Sequence, residues 1–210
     1  MKKAIIFDMD GTLWNSAQGV ADSWNEVLKA EGIDKEPLTK EDFYSVMGQT
    51  MDKIALKFFP DLSPAGREEI AKKCYSHEND YLREHGGELY PELEETLKTL
   101  KEKYSLYIVS NCQSGYIEAF LEHYGFAHYF EDIECYGNND KPKGENIADI
   151  VRRNQIDSAV YVGDIQGDYD ASKSAGVGFI HAAYGFGEID QEVPRIQRFS
   201  DLIEVADDVF

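Results

Sequence analysis

The sequence predicts an α/β fold, a doubly wound and mostly parallel sheet with an all-helical segment inserted into it. Three observations predict this. Several short apolar runs rich in β-branched residues are nearly continuous rather than alternating, as strands buried on both faces are. From about residue 92 onward these runs alternate with helical patterns, the rhythm of strand and crossover helix. Residues 15–86 break that rhythm, with several helical patterns and no convincing strand.

Taken in order, the first strand runs from Ala4 to Phe7, and the chain leaves the sheet near Trp14 to Ser16. Val20, Trp24, Val27 and Leu28 then mark a helix ending near Gly32. Thr39 with Asp42 reads as the capped start of another. Ser63-Pro64 opens a longer helix, with proline at its first position and Ile70, Cys74, His77 and Tyr81 following. Gly86-Gly87 is the return hinge. Leu93, Leu97 and Leu100 recur at helix spacing, followed by a strand from Leu106 to Val109. Ile117, Phe120, Leu121 and Tyr124 form a helical face ended by Gly125. A strand at Asp132 to Cys135, a helix through Ile147, Ile150 and Val151, and strands at Ala159 to Val162 and Phe179 to Ala183 complete the pattern. The division is therefore a core of residues 1–14 and 87–210 and a helical lobe of residues 15–86, without internal repeats or low-complexity tracts.

A chain of 210 residues suffices for one well-covered core and a smaller lobe. Forty acidic against 21 basic residues give a formal charge of −19. Such a field opposes nucleic acid and anionic lipid, so neither is expected as a partner. A phosphate-bearing ligand must be small and met by local positive charge. The apolar run after Met1-Lys2-Lys3 is stopped by Asp8 and Asp10, far short of a signal peptide or a membrane span. Cys74, Cys112 and Cys135 are odd in number and widely separated, without disulfide or metal spacing, which suits a reducing cytoplasm. Cys112 lies beside a polar loop, but no neighbour supplies a base for it, and it reads as a buried thiol. No feature suggests an obligate interface, so a monomer is expected.

Four polar segments follow strands. Asp8 and Asp10 end the first; two apart in extended chain, they can face one crevice before Gly11 turns the backbone. Carboxylates held that close repel unless a cation lies between them, and oxygen ligands favour Mg²⁺. Taken alone, the pair with Gly11-Thr12 reads equally as a solvated turn. Ser110 and Asn111 end the second, where a hydroxyl and backbone amides can hold a phosphoryl oxygen or simply cap a helix. In Asp140-Lys141-Pro142-Lys143-Gly144, two lysines precede a helix; an ammonium there can offset phosphoryl charge, or both can be solvated. Finally Val162-Gly163-Asp164 ends a buried strand, and Asp168 stands four residues on, as a site acid or a helix cap. Four strand ends so equipped are hard to explain as independent accidents.

Together these residues resemble the haloacid dehalogenase-like hydrolases, whose motifs occur here in order: Asp8-Met9-Asp10-Gly11-Thr12, Val109-Ser110-Asn111, the Lys141 to Ile147 segment, and Gly163-Asp164-Ile165-Gln166-Gly167-Asp168. The resemblance covers the whole chain. It implies a Rossmann-like core with a helical cap, as in the subclass that includes phosphoglycolate phosphatases and β-phosphoglucomutases. It implies a Mg²⁺-dependent phosphatase acting on a small phosphorylated metabolite, with Asp8 the nucleophile that becomes an aspartyl-phosphate and Asp10 the general acid and base. It further implies Mg²⁺ held by Asp8, the Asp10 backbone carbonyl and Asp164, with Asp168 orienting the lysine or the metal's waters. Ser110 would bind a phosphoryl oxygen, aided by Gly11, Thr12 and Asn111. Family spacing allows either Lys141 or Lys143 as the site lysine, and Gly144-Glu145-Asn146 favours Lys143. Gln49, in Met47-Gly48-Gln49-Thr50, is expected to face the substrate. Ile165 departs from the Ser or Thr common after the motif's first acid.

Alternatives are a sugar-phosphate mutase of the same fold and a receiver-like phosphoacceptor module. The second predicts a mid-chain phosphorylated aspartate in a chain about half as long, without the insertion.

Overall fold

The first strand explains the architecture. In a computed structural model describing residues 1–210, β1 is Lys3–Phe7. Ala4 and Ile6 point into one apolar cluster and Ile5 and Phe7 into the other. Alternate residues of a strand face opposite sides, so a strand covered on both faces is apolar throughout.

After a turn, β2 (Trp14–Asn15) leads into four helices: α1 (Ala17–Ala30), α2 (Lys40–Tyr44), α3 (Met51–Phe58) and α4 (Pro64–His85). The chain returns through β3 (Glu88–Leu89), which pairs antiparallel with β2. The two ends of the insertion are thus tied together at its base. Its interior is aromatic, with Trp24 packed on Phe43, Phe58, Phe59 and Tyr75. The caps form as the sequence reads: Thr39 accepts from the Asp42 amide, and Ser63 from Gly66 with Pro64 at the first helical position. One correction applies to α4. Its buried stripe is Ile70, Ala71, Cys74, Glu78 and Leu82, whereas His77 and Tyr81 are half-exposed. A spacing of four along this helix therefore carries an acid inward.

The rest of the chain alternates: α5 (Leu93–Lys101), β4 (Ser105–Ser110), α6 (Tyr116–Tyr124), β5 (Asp132–Cys135), α7 (Tyr136–Asn139), α8 (Lys143–Arg153), β6 (Ser158–Gly163), α9 (Gln166–Ala175), β7 (Gly178–Ala182), β8 (Arg195–Ile196) and α10 (Leu202–Val209). The six-stranded sheet has the order β5-β4-β1-β6-β7-β8, parallel throughout. Ile147 and Ile150 of α8 cover one face. Leu93 and Leu97 of α5, Ile117 and Phe120 of α6 and Leu202 of α10 cover the other. β8, absent from the sequence expectations, is two residues long and depends on β7 for its hydrogen bonds. The chain goes from β1 to β4 on one side and later to β6 on the other. The carboxyl ends of these three strands thus bound the crevice where doubly wound sheets bind ligands. No helix is long and apolar enough to cross a membrane.

Candidate active site

Asp8 follows β1 directly, and its N–H donates to the Val162 carbonyl at 2.9 Å, which fixes it between β1 and β6. The Met9 carbonyl accepts from the Thr12 and Leu13 amides, closing a tight turn with Gly11 at φ +80°. A Cβ on Gly11 would lie 2.1 Å from Asp164 Oδ2. Glycine there permits both the turn and the approach of Asp164. The Gly11 N–H is already spent on the Trp14 carbonyl.

The carboxylates of Asp8, Asp164 and Asp168 converge, each offering an oxygen within 4.8 Å of the others, and all three are buried. Lys143, the first residue of α8, enters this cluster. Its Nζ lies 2.6 Å from Asp168 Oδ1 and 3.0 Å from Asp8 Oδ1. The aligned hydrogen bond goes to Asp168, so the shorter contact is bond and ion pair together, while Asp8 Oδ1 is held by charge alone and has no aligned donor. Asp168 Oδ2 also accepts from the Asp164 and Ile165 amides, which ties the start of α9 to the end of β6. Asp164 Oδ2 accepts from the Phe186 amide at 2.7 Å.

Electrostatics follow from three buried acids around one ammonium. Burial pushes the Asp8 carboxyl up to about 7 against the pull of Lys143. Burial, with the negative charges of Asp168 and Asp8, raises Asp164 well above the carboxylate range. For Lys143, burial works against the charged form, but Asp168 and Asp8 outweigh it and the net direction is upward. Carboxylates that raise one another in this way are held ionised together by a cation. An oxygen-only donor set containing an orphaned Asp8 oxygen fits a hard divalent ion such as Mg²⁺.

The other expected residues divide. Lys141 does not reach the cluster; it pairs with Asp149 on α8 at 2.6 Å and is partly exposed. The Asp10 carboxylate is turned from the three acids and accepts from Ser16 Oγ at 2.6 Å and from Tyr116 OH at 2.8 and 3.0 Å. Burial raises its pKa, and these hydrogen bonds oppose the rise. Ser110, Asn111 and Gln49 line one cavity with Asp10. Gln49 is exposed; Asn111 Nδ2 donates to the Gly48 carbonyl at 2.9 Å, joining insertion and sheet. Thr12 is buried, and its hydroxyl has no partner. Ile165 lies where a Cβ on Gly48 would meet its Cδ1 at 2.4 Å, so its apolar side chain packs on the insertion. Cys74, Cys112 and Cys135 are free and buried.

Tyr116, Ser16 and Glu78 are not among the expected site residues although they line or adjoin this cavity. For Tyr116 and Ser16 the available signal was position: one follows the Ser110 loop at a helix start, the other immediately follows the outgoing β2.

A profile of the haloacid dehalogenase-like hydrolase family matches residues 5–182. A phosphoglycolate phosphatase of Aquifex aeolicus is 27% identical over 213 residues, covering 98% of this chain and 97% of its own. One of Vibrio parahaemolyticus is 27% identical, covering 97% and 96%. Among solved structures, CbbY of Rhodobacter sphaeroides in complex with phosphate superimposes with a TM-score of 0.79 at 20% identity, covering 96% of each chain. This last similarity is one of fold.

Proposed function

The chain belongs to the haloacid dehalogenase-like hydrolase family, and from that premise we propose that this phosphatase is Mg²⁺-dependent and hydrolyses a small organic phosphate monoester through an aspartyl-phosphate on Asp8. The observation that carries the proposal is Lys143 Nζ inside the buried cluster, 3.0 Å from Asp8 and 2.6 Å from Asp168.

Asp8, the Asp10 backbone carbonyl and Asp164 would hold Mg²⁺, with Asp168 close by. The ion would neutralise the crowded carboxylates and the charge of the phosphoryl group. Asp8 supplies the nucleophilic oxygen: its bond to phosphorus forms as the bond from phosphorus to the ester oxygen breaks. Lys143 stabilises charge on the transferring group. Ser110 donates a hydrogen bond to a phosphoryl oxygen. Asp10, protonated, gives its proton to the departing alcohol and then takes one from the water that attacks the acyl phosphate, regenerating Asp8 and releasing phosphate. To do so its carboxyl turns from Ser16 and Tyr116 toward the crevice. Residues 15–86 act as a cap that limits water, and residues 1–14 and 87–210 are the catalytic core. Three free thiols suit a cytoplasmic enzyme.

The test is phosphate release from p-nitrophenyl phosphate with and without Mg²⁺, comparing wild type with Asp8→Asn. Metal-dependent multiple turnover that Asp8→Asn abolishes is expected. Stoichiometric phosphorylation without turnover, or an Asp8→Asn variant as active as wild type, would sink the reading.

A further inference from the structure

The cavity that Asp10 and Ser110 line extends to α1 and α4, where Trp24 and Glu78 join its wall. Its enclosed space is only about 40 Å³, which suits a compact group beside the phosphoryl position. Its wall contains apolar residues such as Met47 and Met51 and no lysine, arginine or histidine.

Glu78 is the unusual member. It is 3% exposed and takes no part in any ion pair; its two oxygens accept from Trp24 Nε1 at 2.5 Å and Gln113 Nε2 at 2.9 Å. Both donors are neutral. A carboxylate can accept about four hydrogen bonds, and its burial without a cation is unfavourable. Each donor takes one of the two oxygens, so a carboxylate joins both, but neither donor neutralises its charge and each oxygen keeps a lone pair free for a further donor. The mechanism above gives Glu78 no part, yet it shares a cavity with Asp10.

We propose that Glu78 is a specificity-determining residue, selecting phosphate monoesters whose alcohol portion presents an ammonium or hydroxyl donor and carries no second anion. This rests on the phosphatase reading of the same site. The phosphoryl group is met by Lys143, but a carboxylate or second phosphate on the leaving group would meet Glu78 with no cation beside it. Like charges about 6 Å apart, at an effective dielectric of about 20, cost roughly a hundredfold in binding. An ammonium gains from the same field, and a hydroxyl supplies a donor without charge. Burial pushes the Glu78 carboxyl up to about 7, so the discrimination is strongest on the alkaline side of neutrality.

Three esters with two-carbon alcohol portions isolate the effect: O-phosphoethanolamine, ethylene glycol monophosphate and 2-phosphoglycolate, assayed on the full chain with Mg²⁺ at about pH 8, with p-nitrophenyl phosphate as reference. The expected order of kcat/KM is amine, then hydroxyl, then carboxylate, with the amine ahead of the carboxylate by at least tenfold to a hundredfold, since repulsion of the carboxylate and attraction of the ammonium each reach roughly a hundredfold. In Glu78→Gln this ratio falls by about tenfold or more, chiefly through KM. A wild-type enzyme that hydrolyses 2-phosphoglycolate as well as the amine overturns the inference, and this ranking needs no variant to fold. A folded Glu78→Gln that keeps the wild-type ratio overturns it too. Failure of wild type to hydrolyse any of these esters, the three small ones included, would instead remove the phosphatase reading beneath it.

Discussion

Replacing Glu78 by glutamine should raise the stability of the protein relative to wild type as pH rises from about 5 to about 8, on top of any constant offset between the two. The carboxyl is 3% exposed, and burial, opposed by the Gln113 and Trp24 hydrogen bonds, raises its pKa from 4.5 to about 7. The sign follows from proton uptake: a carboxyl whose folded pKa lies above its unfolded value contributes stability that is complete below about 4.5 and is lost as pH rises through about 7. Integrated between about pH 5 and about pH 8, the loss is ~2.5 kcal/mol in wild type and absent in the variant. For a chain of 210 residues, that corresponds to a difference of ~5–10 °C in the pH dependence of Tm. Thermal and urea melts of both proteins at the two pH values measure it. Whatever the amide gains or loses in packing cancels between them, because it does not titrate. Parallel pH profiles, differing by less than about 0.5 kcal/mol, would refute the argument that a buried and largely uncompensated acid sits on α4.

Two further substitutions probe the site. Lys143→Ala is expected to lower kcat by about 10²–10³, the scale for removing one positioned electrostatic group, whereas Lys141→Ala breaks only the partly exposed pair with Asp149, worth ~0–1 kcal/mol, and should retain activity within about fivefold; steady-state rates with a common ester rank them, and the reverse order would reassign the lysine. Tyr116→Phe removes the one hydroxyl donor that lies 2.8 and 3.0 Å from the two Asp10 oxygens. Because those bonds hold the Asp10 pKa down, losing a bond worth ~0.5–1.5 kcal/mol should raise it, moving the alkaline limb of the kcat/KM profile upward by about 0.4–1 pH unit. A limb that stays or moves to lower pH would contradict the role of Asp10 as the acid held there.

Much of the sheet was legible because β1, β4 and β6 are buried on both faces, leaving continuous apolar runs that sequence periodicity detects. β8 was not, since two residues have no period and Arg195–Ile196 becomes a strand only by pairing with β7. The convergence of Asp8, Asp164 and Asp168 was legible because each follows a strand end or opens a helix, so topology alone brings them together. The choice between Lys141 and Lys143 was legible only in part: Gly144-Glu145-Asn146 favoured Lys143, but both lysines flank Pro142 and the start of α8 decides which points inward. The structure turns Lys143 to the acids and leaves Lys141 with Asp149. Tyr116 could not be read as a partner of Asp10, 106 residues away, by any local pattern. Glu78 was hidden differently. In a polar helix of 22 residues an acid looks solvated unless the stripe is traced in steps of four from Ile70 through Cys74.

The two buried acid centres differ in what balances them, and that difference separates catalysis from selection. At the strand ends three carboxylates surround one lysine, a net charge of about −2 if all are ionised, which a divalent cation offsets. Beside it, Glu78 has two neutral donors and no cation. The first centre can therefore grip any phosphoryl group alike, and uniform binding of that kind does not distinguish esters. Discrimination falls to the second, where a negative charge in a cavity without basic residues refuses anionic leaving groups and retains those that bring a donor. An acid kept there against the stability it removes at alkaline pH is explained by a ligand that completes its hydrogen bonds, because Trp24 and Gln113 each satisfy one oxygen and neither offsets the charge.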